Sequence, residues 1–540
     1  MALKTLTINQ IFKGHSASQY FGAEGTINTS IAIDPDLPII STDVRTSGFA
    51  VPVGSEPFGN AATIATDIVR ILNNPKNTLT YAVTSGGKLL SYSVTQIGLT
   101  TVLGSETSIG TVTGSAAVWA EYYNNYIYIF TPTDISRYGP LDNSPTLSNT
   151  IWTTVAPLTA AGGGLGKVAL TNTTYPSLRG VSLPNHHAFV HGDGSMYFTD
   201  FKNGQGLIHR INTKLSGNEG VIDGTTAPSL YNALDLPWGF YPTSVGPYGT
   251  SVLITGIYTI DTKVNQGRSA FVLWDPTNTV SFYQGPVFLP DPLCTAQLNV
   301  NGIVHFWTGN AQNGVRVSRY LGGESVREVV YQEEGLPPFP GAVDVLGNRI
   351  VWGGFSTNPT VGAVVWAYGS KDGRLPAGLH NVMKTSSVGT TPIVTALKYV
   401  QQNSNIAPKV VVAWRNESTR NIEQYSTTAT LTSVLRWMFN IGRKFEIKKI
   451  SVPLGGAVAA NTTITPTLYF DDLSSNKVLT VINNTNYASK RKIIYRGTEL
   501  KDTVALNNMV LELAWTGTNP LPVAFPIFID IDIKEDESTG

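Results

Sequence analysis

Ile135-Ser136-Arg137-Tyr138 is the stretch on which the fold turns. It follows the strand-like run 126–130 across Thr131-Pro132-Thr133. Its form, an apolar residue with an aromatic three positions on, recurs along the chain. The other copies are Leu89-Leu90-Ser91-Tyr92, Phe271-Val272-Leu273-Trp274, Val317-Ser318-Arg319-Tyr320, Val365-Trp366-Ala367-Tyr368 and Ile422-Glu423-Gln424-Tyr425. Leu207-Ile208-His209-Arg210 holds an equivalent place without the aromatic, which makes seven. Each copy follows another strand, as at 80–84, 196–200, 303–307, 350–353 and 410–414. Turn signals such as Asn124-Asn125, Gly192-Asp193-Gly194 and Leu346-Gly347-Asn348 precede several of these.

The repeating unit is therefore an antiparallel meander of three or four strands. Regular propeller blades run about 40–50 residues, so the longer intervals between copies imply insertions. One small meander cannot bury both of its faces, but seven around an axis bury each face on a neighbour. The recurring Tyr or Trp then fills the space between blades, with its polar atom reaching the rim. The expected fold class is all-β: a roughly seven-bladed β-propeller over 45–435, followed by a C-terminal β-sandwich or jelly roll over 444–535. Two sandwiches in tandem would explain the strands but not the recurrence. Residues 1–44, with the Pro-rich 34–38, read as a lead-in that docks and in part pairs with the last blade to close the ring. The sandwich is read from runs at 445–450, 465–470, 478–482, 492–495, 510–515 and 525–534. The alternation Ile527-Phe528-Ile529-Asp530-Ile531-Asp532-Ile533 marks a half-buried strand. Residues 536–540 are a polar tail.

Composition narrows the function. Of 540 residues only 14% are charged, and Lys+Arg and Asp+Glu are 37 each. Without a basic excess, nucleic acid and anionic lipid are disfavoured as partners. A neutral surface offers little charge repulsion against self-association. Cys294 is the single cysteine, so an internal disulfide framework and a Cys-based zinc site are excluded. The N-terminus has no apolar signal region and no run approaches a membrane span. The expectation is a chain made in the cytoplasm, with no membrane insertion.

The chemistry-bearing motifs are sparse. The glycine-rich 161–168 departs from a phosphate loop: Val168 follows Lys167 where Ser or Thr is needed. His186, His187 and His191 are the best metal-like cluster, with Asp193 and Asp200 nearby. On a strand only His187 and His191 share a face, fewer than the three convergent ligands of a catalytic metal. No metal, cofactor or catalytic residue is assigned, and no enzyme is expected. Gly192–Asp200 is similar to a blade motif of gluconolactonase-like hydrolases, but such a segment recurs in propellers with no activity and reads here as a hairpin with a buried aromatic strand. Tyr126 and Tyr128 read as packing residues. Tyr122 and Tyr123 flank the turn and are the candidates for glycan or partner contact.

Several stretches resemble the opening and blades of largely uncharacterised β-propeller virion proteins of tailed bacteriophages. They are Phe12-Lys13-Gly14, Tyr20-Phe21-Gly22-Ala23-Glu24-Gly25, Ile33-Asp34-Pro35, 122–128, 134–141 and 314–320. The resemblance implies a structural virion protein at the tail tip, hub or fibre, or decorating the head, assembled in the host cytoplasm. Other virion proteins are its implied partners, and phage symmetry implies a homo-oligomer. Host-surface glycan recognition is the alternative, and a propeller hydrolase with carboxylates converging in the central channel is a third.

Overall fold

The computed structural model describes residues 2–8, 29–31, 54–58, 64–74, 79–97, 100–149, 183–202, 204–211, 230–258, 267–277, 283–309, 314–323, 326–332, 337–354, 363–369, 378–387, 392–400, 409–426, 431–454, 458, 460–471, 475–487, 492–517, 523 and 527–534. Two architectures share this chain: a seven-bladed β-propeller and a β-sandwich.

Seven four-stranded antiparallel sheets form the propeller. Blade one runs from Ile68–Asn73 to Thr100–Thr111, blade two from Trp119–Tyr123 to Thr146–Ser148, and blade three from Ala188–Val190 to Leu230–Trp238. Blade four runs from Phe240–Tyr248 to Tyr283–Phe288, blade five from Leu293–Val300 to Arg327–Gln332, and blade six from Val343–Leu346 to Gly378–Lys384. Blade seven takes Ile393–Val400, Lys409–Asn416 and Thr419–Ser426 from the late chain. Its outermost strand, Gly54–Pro57, comes from the early chain. Each innermost strand lies beside the next, and the seventh beside the first, so the ring is closed.

The recurring segment is the third strand of every blade, and its spacing has a physical reason. Residues at i and i+3 of a strand point to opposite faces. Leu89 accordingly packs between blades one and two, and Tyr92 between blades one and seven. Phe271 faces blade five while Trp274 faces blade three, and Val317 faces blade six while Tyr320 faces blade four. One short motif thus joins a blade to both neighbours. The two tyrosine hydroxyls find partners: that of Tyr92 donates to Glu106 at 2.9 Å and that of Tyr320 to the Gly323 carbonyl at 3.0 Å; the Trp274 indole N–H has none among the described residues.

Blade three corrects the sequence register. Ile208 packs toward blade four and Ile211 toward blade two. The true copy is therefore Ile208-His209-Arg210-Ile211, one residue later than the expected Leu207–Arg210. Irregular pairing of Gln205–Ile211 with Leu230–Trp238, shifted on both sides of Leu207–Ile208, hides the offset from pattern reading.

The lead-in also differs from expectation. Ring closure comes from Gly54–Pro57, not from 1–44, and Phe58 seals it. The Phe58 N–H donates to the Ile422 carbonyl at 3.1 Å and its ring lies 5.1 Å from that of Tyr92. An ionic link spans the same seam, with Asp67 accepting from Arg415 at 2.6 Å and Arg420 at 2.7 Å. The described strands of 1–44 belong to the sandwich instead. Ala2–Ile8 pairs with Ile527–Ile533, and Thr29–Ile31 pairs with Leu431–Asn440. One sandwich sheet orders Ala2–Ile8, Ile527–Ile533, Phe445–Pro453 and Lys492–Arg496. The other orders Thr29–Ile31, Leu431–Asn440, Asn508–Gly517, Thr463–Phe470 and Asn476–Val478. Between them Leu435, Trp437, Leu511 and Trp515 meet Ile450, Tyr495, Ile529 and Ile531. Leu431–Asn440 begins within the range read as propeller, so the sandwich starts earlier in the chain than 444.

Candidate functional site

The innermost strands of the seven blades line an axial cavity of about 200 Å3. A strand that faces a ring axis can present polar side chains there, because its two sheet faces are already committed to neighbouring blades. Blades six, seven, one and two contribute Asp344, Lys398, Arg70 and Glu121 in that order around the axis. Lys398 Nζ donates to Asp344 Oδ1 at 3.1 Å, and Arg70 Nη2 to Glu121 Oε2 at 3.3 Å. The two cations therefore stand side by side, flanked by their carboxylates. The Arg70 guanidinium lies 4.3 Å above the Trp119 ring.

The opposite side of the axis is uncharged. His187 packs tilted against Trp119 with ring centroids 4.1 Å apart, and its Nδ1 accepts the Val245 N–H at 3.3 Å. That acceptor role places the ring proton on Nε2. Burial, reinforced by the Arg70 charge, pushes the His187 pKa down to about 3. Gln297 and Asn299 of blade five supply amides; Asn299 Nδ2 donates to the Pro247 carbonyl at 2.6 Å and Gln297 Nε2 to that of Leu253 at 3.2 Å. A second cavity of about 320 Å3, sharing Trp119 and Pro340 with the first, holds Asp67, Phe339 and Arg415.

The residues singled out from sequence fall as follows. His186 and His187 do point to opposite sides. His186 meets the Pro132 carbonyl of blade two at 3.0 Å, and His187 meets blade four. Asp200 sits with His209 at 3.2 Å inside blade three, and Asp193 holds the Ser195 N–H at 2.8 Å and the Tyr197 hydroxyl at 2.6 Å. The 192–200 stretch is thus a hairpin whose carboxylates are used internally. Among the described residues no three His, Cys, Asp or Glu side chains gather as metal ligands. Burial pushes the Cys294 thiol up to about 12, far from a nucleophile's range. The glycine-rich 161–168 lies outside the described residues.

The expected exposure of Tyr122 and Tyr123 is corrected. Tyr123 is buried, with its hydroxyl donating to the Gly194 carbonyl at 2.7 Å, because the 191–195 turn of blade three docks over it. Tyr122 is half-buried against the core between blades one and two. The most exposed aromatic among the described residues is Trp238, 68% accessible. Its benzo ring lies over Gly204, where a Cβ would come within 2.9 Å of the indole. A lone Trp after Pro237, next to Gly239, carries no sequence mark distinguishing it from the buried Trp residues.

The histidines give a testable pH dependence. His305 is likewise held down, to about 4, by burial and by Arg319. Both groups take up a proton in the unfolded chain near the ordinary value of about 6.5 but only at much lower pH in the fold. Stability is therefore full above about pH 6.5 and falls as pH drops toward 4, by about 1.4 kcal/mol per histidine per pH unit at most. Thermal melts between pH 7.5 and 4.5 should show this slope, and H187Q/H305Q should flatten it. An unchanged slope would remove these two groups as its source.

No family model matches the chain, and no curated protein matches it. Solved structures similar to it include the Pan2 WD40 domain of Neurospora crassa, with TM-score 0.38 and 10% identity over 71% of this chain and 96% of that one. The AfRom2 CNH domain has TM-score 0.37 and 8% identity over 69% and 98%. A Trichoderma reesei carbohydrate-active enzyme of family AA12 has TM-score 0.36 and 12% identity over 72% and 100%. Nothing about activity follows from likenesses this distant.

Proposed function

We propose that this protein is a structural component of a tailed-phage virion, a rigid body of the tail that joins neighbouring virion proteins in a symmetric assembly. The observation that carries the rigidity is the path of the early chain. The same N-terminal run gives strands to both sandwich sheets and then the closing strand of the ring. Such closure ties the last blade to a distant part of the chain and suits a part that bears load rather than one that opens. The virion setting rests on the resemblance of 12–14, 20–25, 33–35, 122–128, 134–141 and 314–320 to phage propeller proteins. Mass spectrometry of purified particles tests it: the chain should appear at a fixed copy number relative to the tail proteins. Its absence from intact particles would end the proposal.

Trp238 favours a second reading, recognition of a host-surface glycan. An indole whose edge is seated against a glycine and which is largely accessible suits stacking on a sugar ring. W238A should leave the melting temperature unchanged within the range of surface substitutions. It should also weaken binding to host cells about thirtyfold, the loss typical of a Trp hot spot of about 2 kcal/mol. Unaltered binding by W238A would remove this reading.

A further inference from the structure

The axial cavity has the chemistry of a ligand site rather than of a plain solvent channel. Two side chains that line it keep buried polar atoms with no partner among the described residues: Arg70 Nε and Gln297 Oε1. An unmatched buried donor or acceptor costs about 1–3 kcal/mol, and these two, among several in the described residues, line the same cavity. The donor stands on the charged side of the axis and the acceptor on the uncharged side. His187 adds a third feature, since its Nδ1 is occupied by the Val245 N–H and the donor left over is Nε2–H.

We propose that this cavity binds a small hydroxylated carboxylic acid of about monosaccharide size, a sugar acid. Its carboxylate lies between Arg70 and Lys398, and its hydroxyls meet His187 and Gln297. The charge order around the axis selects the acid over a neutral sugar. The two cations are neighbours on blades one and seven, and Glu121 and Asp344 lie on their outer sides. An anion between the cations relieves their mutual repulsion without displacing either existing ion pair. The same carboxylates repel an anion placed anywhere else along that arc. On the far side a neutral imidazole and an amide offer one donor and one acceptor, the pattern a hydroxyl group satisfies.

This site is independent of the virion reading, which stands or falls on particle composition. The experiment is isothermal titration calorimetry of the full chain with D-glucuronate, with glucose, and with an oligosaccharide ending in glucuronate. Glucuronate should bind saturably and at least about tenfold more tightly than glucose. K398Q and Q297L should each weaken it by about tenfold or more, with circular dichroism unchanged. Binding of the oligosaccharide as well identifies the ligand as a chain end, and binding of free glucuronate alone identifies a free acid. Absence of saturable heat with either acid up to about 10 mM overturns the proposal. Equal affinity for glucose, or full affinity in folded K398Q, overturns the carboxylate subsite. Should K398Q fail to fold, the comparison of glucuronate with glucose on the native protein still decides.

Discussion

A chain that begins at residue 59 should lose stability in both the propeller and the sandwich, whereas one that begins at residue 32 should lose it mainly in the sandwich. The difference lies in Gly54–Pro57 and Phe58. The shorter deletion removes Ala2–Ile8 and Thr29–Ile31, an edge strand from each sandwich sheet, together with the buried Ile8. Blade seven keeps its fourth strand. The longer deletion also strips that strand, exposes the edge of Thr419–Ser426, and takes Phe58 out of the core between blades seven and one. A propeller lacking its closing strand offers an open edge at the seam, which invites pairing with another chain. Differential scanning calorimetry should show a lowered sandwich transition in the first case and two lowered transitions, with aggregation, in the second. Substituting Phe58 alone by Ala isolates the apolar part of the seal and should cost about 3–5 kcal/mol, the usual range for a buried Phe. Equal melting of the two truncated chains would show that the ring does not depend on the strand that closes it.

The sequence makes the blades legible because each third strand has to reach both neighbours at once. That requirement writes an apolar residue and an aromatic three apart, at a place fixed by a preceding turn. Where irregular pairing intervenes, as at Leu207–Ile208, the same requirement is met one residue later by Ile211, and a pattern keyed to aromatics misses it. The partner of Ala2–Ile8 is not legible at all. It lies more than five hundred residues away, and the alternation of Ile527–Ile533 states that a strand exists but not who lies beside it. Tyr123 shows the same gap on a smaller scale. Its position beside Asn124-Asn125 reads as a loop tip, but the hairpin of the next blade covers it. The axial site is hidden for the reason that any channel is. Arg70, Glu121, His187, Gln297, Asp344 and Lys398 come from six different blades, and no local spacing joins them.

G341A should be among the most damaging single-methyl changes this protein can suffer. Gly341 lies in the turn before blade six, and its carbonyl accepts the Leu397 N–H of blade seven at 3.0 Å. A Cβ there would press on the Val69 carbonyl oxygen of blade one, well inside the closest approach of real Cβ atoms, with the Thr395 carbonyl 3.7 Å away. The Val69 oxygen is backbone of an innermost strand and does not rotate aside, and the Thr395 carbonyl in ordinary contact limits movement the other way. The turn can make room only by moving blade six outward from blades seven and one, which the closed ring resists. Overpacking of this kind costs about 1–3 kcal/mol, and more where nothing flexible yields. Two other glycines separate crowding from backbone conformation. Gly192 has open space around its Cβ direction, so G192A should be neutral or stabilising by about 0.4–1 kcal/mol. Gly347 is also open but has φ of +61°, so G347A should cost about 1 kcal/mol through the left-handed backbone alone. Urea unfolding of the three variants should give the order G192A, G347A, G341A from most to least stable. If G341A matched G192A, the turn would not be wedged against blade one, and the tight packing of the ring at this seam would be wrong.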